Sequence, residues 1–155
     1  MVSTIVFMEP SRRRSGNDSR CCDPNLAPLN WIDCQDASHP SVVALSTWLA
    51  TLVPFARIVE ESEIEELFAA AANGELWDSG DETTPIKPIK EDPEVYELRR
   101  TALSKKLRFY HGEPAELPAK LVALHRHIKV NNPSQLDEIE YAAKRYIAGR
   151  ASGWA

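Results

Sequence analysis

Long apolar runs are missing from this 155-residue sequence. None approaches the roughly 18 residues that a transmembrane helix needs, which excludes such a helix. The short apolar patch at the N-terminus precedes its basic cluster (residues 12–14). A signal peptide has the reverse order, so we expect no signal peptide. Cysteine is scarce: Cys21, Cys22 and Cys34 are an odd number and include a vicinal pair. This count argues against a disulfide framework and favours a cytoplasmic location.

The composition is that of a globular protein with an uneven distribution of charge. Apolar residues make up 43% and charged residues 26%, and the length suits one domain. Residues 1–95 carry 7 basic against 17 acidic side chains, whereas residues 96–155 carry 11 against 6. A basic half joined to an acidic half suggests a surface for a polyanion. Ordinary surface charge that happens to be uneven is the alternative.

The local patterns predict a tail, a helical hairpin and then a sheet. Residues 1–28 are predicted to be a flexible N-terminal extension, and residues 29–150 a single domain. Within the domain the patterns predict, in order, a strand over 29–36, helices over 41–53 and 63–73 (the second capped by Ser62), an extended exposed connection over 78–94, strands over 96–100, 105–111 and 120–128, and a helix over 135–148. Periodicity alone leaves open whether 120–128 is helical. The predicted fold is α+β: a small antiparallel sheet with the hairpin and the C-terminal helix packed on one face.

Alternation along the three predicted strands separates apolar from polar side chains. Tyr96, Leu98, Leu107, Phe109, Val122 and Leu124 should face the helices. The opposite, open face should then gather Arg99, Lys106, Arg108, Tyr110, His125 and His127, with Arg100, Arg126 and Lys129 nearby.

Such a face has the groups that RNA binding and cleavage require. Cations neutralise phosphates and planar side chains stack on unpaired bases. Cleavage needs a base for the 2′-hydroxyl, an acid for the leaving oxygen and cations around the phosphorane, and histidine titrates in the right range for either proton role. The alternative is that Arg and Lys only solubilise the sheet.

The same residues do not predict a metal or a cofactor. His125 and His127 share a strand face but lack an evident third ligand, and the cysteines with His39 lack a zinc-ribbon spacing. No metal site and no cofactor are therefore predicted.

Two stretches, 86–114 and 121–146, resemble the RelE/ParE superfamily of toxins, and most closely its HigB-like, phage-type branch. The matching parts are Ile89-Lys90 with Tyr96-Glu97-Leu98-Arg99, then Lys106-Leu107-Arg108-Phe109-Tyr110, then Leu124 to Lys129 with Asn132-Pro133, and finally Glu138-Ile139 with Ala142 and Arg145. The helical hairpin also falls where that family has its own. The resemblance covers about residues 29–148 and has no counterpart for residues 1–28.

The resemblance implies the toxin of a type II toxin–antitoxin system: a ribosome-dependent mRNA endonuclease (an mRNA interferase) that inhibits translation without a metal. Its partners would be the ribosome, mRNA and a helix-turn-helix antitoxin. Carried over by position, the catalytic set would be His125, His127, Arg99, Lys106 and Arg108, and Lys129 would match a basic position before the final turn. Arg100, Tyr110 and Arg126, which the strand pattern places on or near the same face, complete the predicted RNA-binding set with Lys129. Two alternatives stay open: a ParE-like inhibitor of DNA gyrase, and a non-enzymatic phage or mobile-element protein that binds a partner through the acidic hairpin.

Overall fold

The protein is described by a computed structural model that covers residues 15–155; the basic cluster at 12–14 lies outside the described residues. Three single turns of 3-10 helix come first, at Gly16–Asp18, Arg20–Cys22 and Pro24–Leu26. The domain then runs β1 Asn30–Asp33, α1 Pro40–Thr51, α2 Pro54–Ala72, β2 Ile86–Glu91, β3 Glu94–Ala102, β4 Lys105–Gly112, β5 Lys120–Lys129 and α3 Asn132–Ala151. Within residues 15–155 no helix combines the length and apolarity needed to span a membrane.

The five strands form one open sheet in the order β1-β5-β4-β3-β2. Neighbouring strands are antiparallel except for β1, which runs parallel to β5 at one edge. The predicted α+β class, with an antiparallel meander and three helices against it, is confirmed. The segment 120–128 is a strand, so its helical alternative is wrong.

The helices pack on both faces of the sheet, whereas the sequence predicted that they all pack on one face. Ile64 and Ala71 of α2 pack in one buried cluster with Leu98 and Phe109. Ile139, Ala142 and Tyr146 of α3 pack in a second cluster with Val95, Tyr110, Val122 and Leu124. A register shift in the β4–β5 pairing at Tyr110/His111 marks a bulge that interrupts the alternation of side chains along β5. Val122 and Leu124 therefore join the face of Tyr110 instead of the face of Leu98.

Three predicted element boundaries are wrong. Helix α2 begins at Pro54, so Ser62 lies inside the helix and does not cap it. Proline is favoured in the first turn of a helix because a backbone N–H at that position would have no partner within the helix. The predicted connection 78–94 contains β2, an edge strand that tolerates Pro88 next to a register shift. Helix α3 continues past Gly149 to Ala151.

Residues 15–28 are packed against the domain, so the predicted extension is wrong for this part of it. Cys21 is fully buried in the cluster beneath α2. The guanidinium of Arg20 donates hydrogen bonds of 2.9–3.0 Å to the backbone carbonyls of Pro114, Leu117 and Lys120. A polar, proline-containing sequence predicts a loop, but these bonds to distant carbonyls hold it in place.

Candidate phosphate-binding face

Two cross-strand pairs of like charge lie side by side on the face that α3 covers. Arg99 is opposite Arg108, and Lys106 is opposite Lys129. We call these four residues the cationic strip. Directly opposed like charges destabilise a sheet, so the strip needs an anion to offset the repulsion.

The protein supplies one carboxylate to the strip. Glu97 Oε1 lies 3.1 Å from Arg99 Nε and 3.7 Å from Arg108 Nε, and Gln135 of α3 donates a 2.6 Å hydrogen bond to Oε2. Burial raises the pKa of Glu97, against the opposing effect of Arg108 and Arg99. Among the described residues no other carboxylate forms an ion pair with the strip. Positive charge therefore remains in excess.

The strip runs from the interior to the surface. Arg108 is only 5% exposed, Arg99 and Lys129 are partly buried, and Lys106 is exposed. Burial lowers the pKa of Arg108. Burial also lowers the pKa of Lys129, and the neighbouring cations Arg108, Arg99 and Lys106 lower it further while Glu97 opposes them. A lysine beside other cations loses its proton more readily than a free one.

His127 is joined to the buried end of the strip through Tyr110. Gln135 donates to the Tyr110 hydroxyl over 3.2 Å, and a hydrogen bond of 2.8 Å joins that hydroxyl to His127 Nε2. Burial raises the pKa of Tyr110, which stays protonated. Burial is also the main reason that the pKa of His127 falls to about 4. The imidazole is therefore neutral at pH 7 and its Nε2 is occupied.

His125 belongs to a separate contact between β5 and the helices. Its Nε2 lies 2.6 Å from Glu138 Oε1, and Ser41 of α1 donates to Glu138 Oε2 over 2.8 Å. The ring also meets His39 and Tyr141 edge-on, with centroids 4.7 and 4.8 Å apart. Burial lowers the pKa of His125. This group fastens the first turns of α1 and α3 to the sheet.

The predicted open face is thus covered at its histidine end. His125 and His127 are 1% and 3% exposed, because the first turns of α3 lie over them. Of the predicted site residues, the structure brings together Arg99, Lys106, Arg108, Tyr110, His127 and Lys129, with His125 stacked beside Tyr110. The expectation that both imidazoles face solvent is wrong.

Two predicted RNA-binding residues lie on the opposite face of the sheet. Arg100 forms a 2.6 Å ion pair with Glu60 of α2. Arg126 donates to Gln35 over 2.8 Å and lies above the ring of Phe109, 5.0 Å from its centroid. Strand alternation separates them from Arg99 and His127, their sequence neighbours, so the expectation that they lie near the predicted open face is wrong.

The polar residues that hold the site together are absent from the predicted site. Glu97 shares a strand face with Arg99, so strand alternation alone could have identified it. Gln135 and Glu138 lie in the first turns of α3, and only tertiary packing brings them to β4 and β5. Lys87, opposite Glu97 on β2, adds a further cation. It lines a cavity of about 180 Å³ with Arg99 and acidic residues of the 78–84 loop.

In comparisons with known proteins, no family model, no curated protein and no solved structure matches the chain.

Proposed function

We propose that this protein is the toxin of a type II toxin–antitoxin system and that it cleaves mRNA on the ribosome, with the cationic strip as its phosphate site. The observation that carries the proposal is the pairing of Arg99 with Arg108 and of Lys106 with Lys129 around a single carboxylate. The excess positive charge fits a polyanion. The resemblance to HigB-like toxins supports mRNA as that polyanion and an antitoxin as the protein partner.

The chemistry needs only the side chains of the strip. The 2′-hydroxyl of a nucleotide attacks its own 3′ phosphate, the bond to the 5′ oxygen breaks, and a 2′,3′-cyclic phosphate and a 5′-hydroxyl result. Lys129 in its neutral form takes the 2′-hydroxyl proton, and the Lys106 ammonium gives one to the leaving oxygen. Arg99 and Arg108 stabilise the charge of the pentacoordinate phosphorus. Each such cation is expected to contribute about 2–4 kcal/mol.

The neutral imidazoles have a positioning role in this scheme. The hydrogen bond between His127 Nε2 and the Tyr110 hydroxyl orients the tyrosine beside Glu97 and Gln135. His125 holds α3 through Glu138. The general acid and base are therefore the lysines, in place of the histidines proposed from sequence alone.

Mapping of RNA 5′ ends tests the proposal. The wild-type protein, Lys106→Ala/Lys129→Ala and the control Lys144→Ala, which changes an exposed lysine on α3, are each induced in a bacterial host. New 5′ ends within translated codons should appear with wild type and Lys144→Ala and disappear with the double variant. Growth arrest without new 5′ ends would refute the endonuclease.

A second candidate, inhibition of DNA gyrase, is favoured by one observation. Both imidazoles are buried and hydrogen-bonded, so the face offers no accessible histidine at pH 7 within the described residues. A gyrase inhibitor needs a basic surface but no proton transfer to RNA. Purified protein that blocks supercoiling by gyrase while leaving translated mRNA intact would establish this alternative.

A further inference from the structure

A second buried polar cluster lies on the other face of the sheet, where the N-terminal segment meets the end of β4. It consists of Cys21, His111 and Glu113, none of which the proposed function uses. Cys21 is 0% and His111 1% exposed, and the Glu113 side chain is 5% exposed. Thiol, imidazole and carboxylate are three side-chain types that bind zinc in proteins.

The three donor atoms converge on one point. Cys21 Sγ lies 3.5 Å from His111 Nε2 and 3.9 Å from Glu113 Oε2, and Nε2 lies 2.8 Å from that same oxygen. Ligands of a tetrahedral zinc ion at ordinary bond lengths are separated by about 3.3–3.6 Å. Shifts of a few tenths of an ångström would bring the three atoms to that spacing.

Within this cluster, hydrogen bonds leave the imidazole of His111 incompletely satisfied. His111 Nε2 faces both the sulfur and the carboxylate, but one ring nitrogen can form only one hydrogen bond of good geometry. Within residues 15–155 the other ring nitrogen, Nδ1, has no hydrogen-bond partner. A buried thiol and carboxylate around one nitrogen are a costly arrangement, which a dication in their midst would offset.

Neighbouring groups already orient each donor. The backbone N–H of Arg20 donates to Glu113 Oε1 over 2.8 Å, which fixes the carboxylate with Oε2 towards Cys21 and His111. The Ser19 hydroxyl donates a further hydrogen bond to Oε2 and accepts from the backbone N–H of Cys21 over 2.9 Å. The His111 ring stacks on Tyr96 and meets Trp31 edge-on. Such supporting contacts are typical of metal sites, where they fix the ligands.

The other group of metal-binding side chains, His39, His125 and Glu138, does not satisfy this chemistry. His39 Nδ1 accepts the backbone N–H of Ser41 over 3.0 Å, which places the proton of a neutral ring on Nε2. That ring offers no free lone pair while it caps α1.

We propose that Cys21, His111 and Glu113 form a Zn(II) site that fastens the N-terminal segment to the end of β4. Three protein donors leave one position of a tetrahedral ion for a non-protein ligand. Binding displaces the Cys21 thiol proton, so the sulfur ligates as thiolate. The site is independent of the cationic strip, which lies on the opposite face.

Metal titration of the full chain tests the site directly. Wild type in a non-chelating reductant is titrated with Zn(II) against a chromophoric chelator, and with Co(II) to record thiolate-to-cobalt charge-transfer absorption. Cys22→Ser is the matched control, because the Cys22 thiol donates a hydrogen bond to the Gly16 carbonyl and does not belong to the cluster. Cys21→Ser removes the thiolate, and Glu113→Gln removes one charge with little change in shape. Circular dichroism checks the fold of each variant.

We expect one equivalent of Zn(II) and a thiolate band in wild type and in Cys22→Ser. Cys21→Ser should lose the band, and Glu113→Gln should bind Zn(II) at least about 10-fold more weakly. Wild type that binds no Zn(II) and shows no thiolate band would overturn the site whatever the variants do. A band that survives Cys21→Ser, or is lost in Cys22→Ser, would overturn the ligand assignment.

Discussion

Lowering the pH from 7 towards 4.5 should destabilise this protein through His127. Burial, the largest cause, holds the pKa of His127 at about 4, below the value of 6.5 for an unfolded chain; His125 and Arg108 lower it further, and the Glu138 carboxylate opposes them. Because the folded pKa is the lower one, the unfolded chain binds the proton first. The stability is therefore fully present above pH 6.5 and is lost as the pH falls towards 4.

The size of the effect follows from the two pKa values. At about pH 4.5 the unfolded imidazole is almost fully protonated, whereas most folded molecules still carry the neutral ring. The difference corresponds to about 2–3 kcal/mol of unfolding free energy, a large share of the 5–15 kcal/mol typical of a domain. His125, whose pKa is also lowered by burial, adds to the loss in the same direction.

Urea unfolding followed by circular dichroism at several pH values measures this loss. His127→Gln is the matched variant, because its amide can still form a hydrogen bond with Tyr110 but does not titrate. It should lose about 2–3 kcal/mol less than wild type between pH 7 and 4.5. Equal losses in the two proteins would show that His127 is not held neutral in the folded protein.

Three further predictions test the strip, the core and the corrected arginine. Lys106→Ala should reduce the salt dependence of binding to a labelled RNA oligonucleotide, by about 0.7 in the logarithmic slope; fluorescence anisotropy with an unchanged slope would contradict a phosphate contact at Lys106. Gly112→Ala would place a Cβ against the buried Tyr146 ring, and thermal unfolding should show a loss of about 1–3 kcal/mol. An unchanged unfolding midpoint would contradict this prediction. Arg100→Ala should cost about 1–3 kcal/mol in urea unfolding through its ion pair with α2, yet leave RNA cleavage unchanged; a folded variant without cleavage would return Arg100 to the RNA face.

Local patterns were sufficient for the elements whose signals lie within a few residues. Proline and the leucine spacing marked α1, and alternation marked β3, β4 and β5. Elements whose cause is tertiary were missed or misplaced. Strand β2 contains a proline and two lysines and forms a strand because it pairs with β3. The segment 15–28 is ordered because Arg20 reaches carbonyls near the start of β5.

Part of the candidate site was likewise predictable from local sequence patterns, and part of it depends on tertiary packing. Strand alternation placed Arg99, Arg108 and Tyr110 on one face of the sheet. The pairing register of β3, β4 and β5 confirms that they are neighbours of His127 and Glu97. It could not show that α3 covers that face. Helical periodicity reports that a helix has an apolar side but not which face of a sheet receives it.

The sequence by itself determined the α+β class, the order of most elements and the basic character of the second half, because these depend on residue types and on spacing along the chain. The tertiary structure decided which cations meet, that both imidazoles are buried, and that Cys21 lies beside His111 and Glu113, about ninety residues away in the chain. Burial, register and proximity are products of packing, and packing sums contacts that no short window of sequence contains.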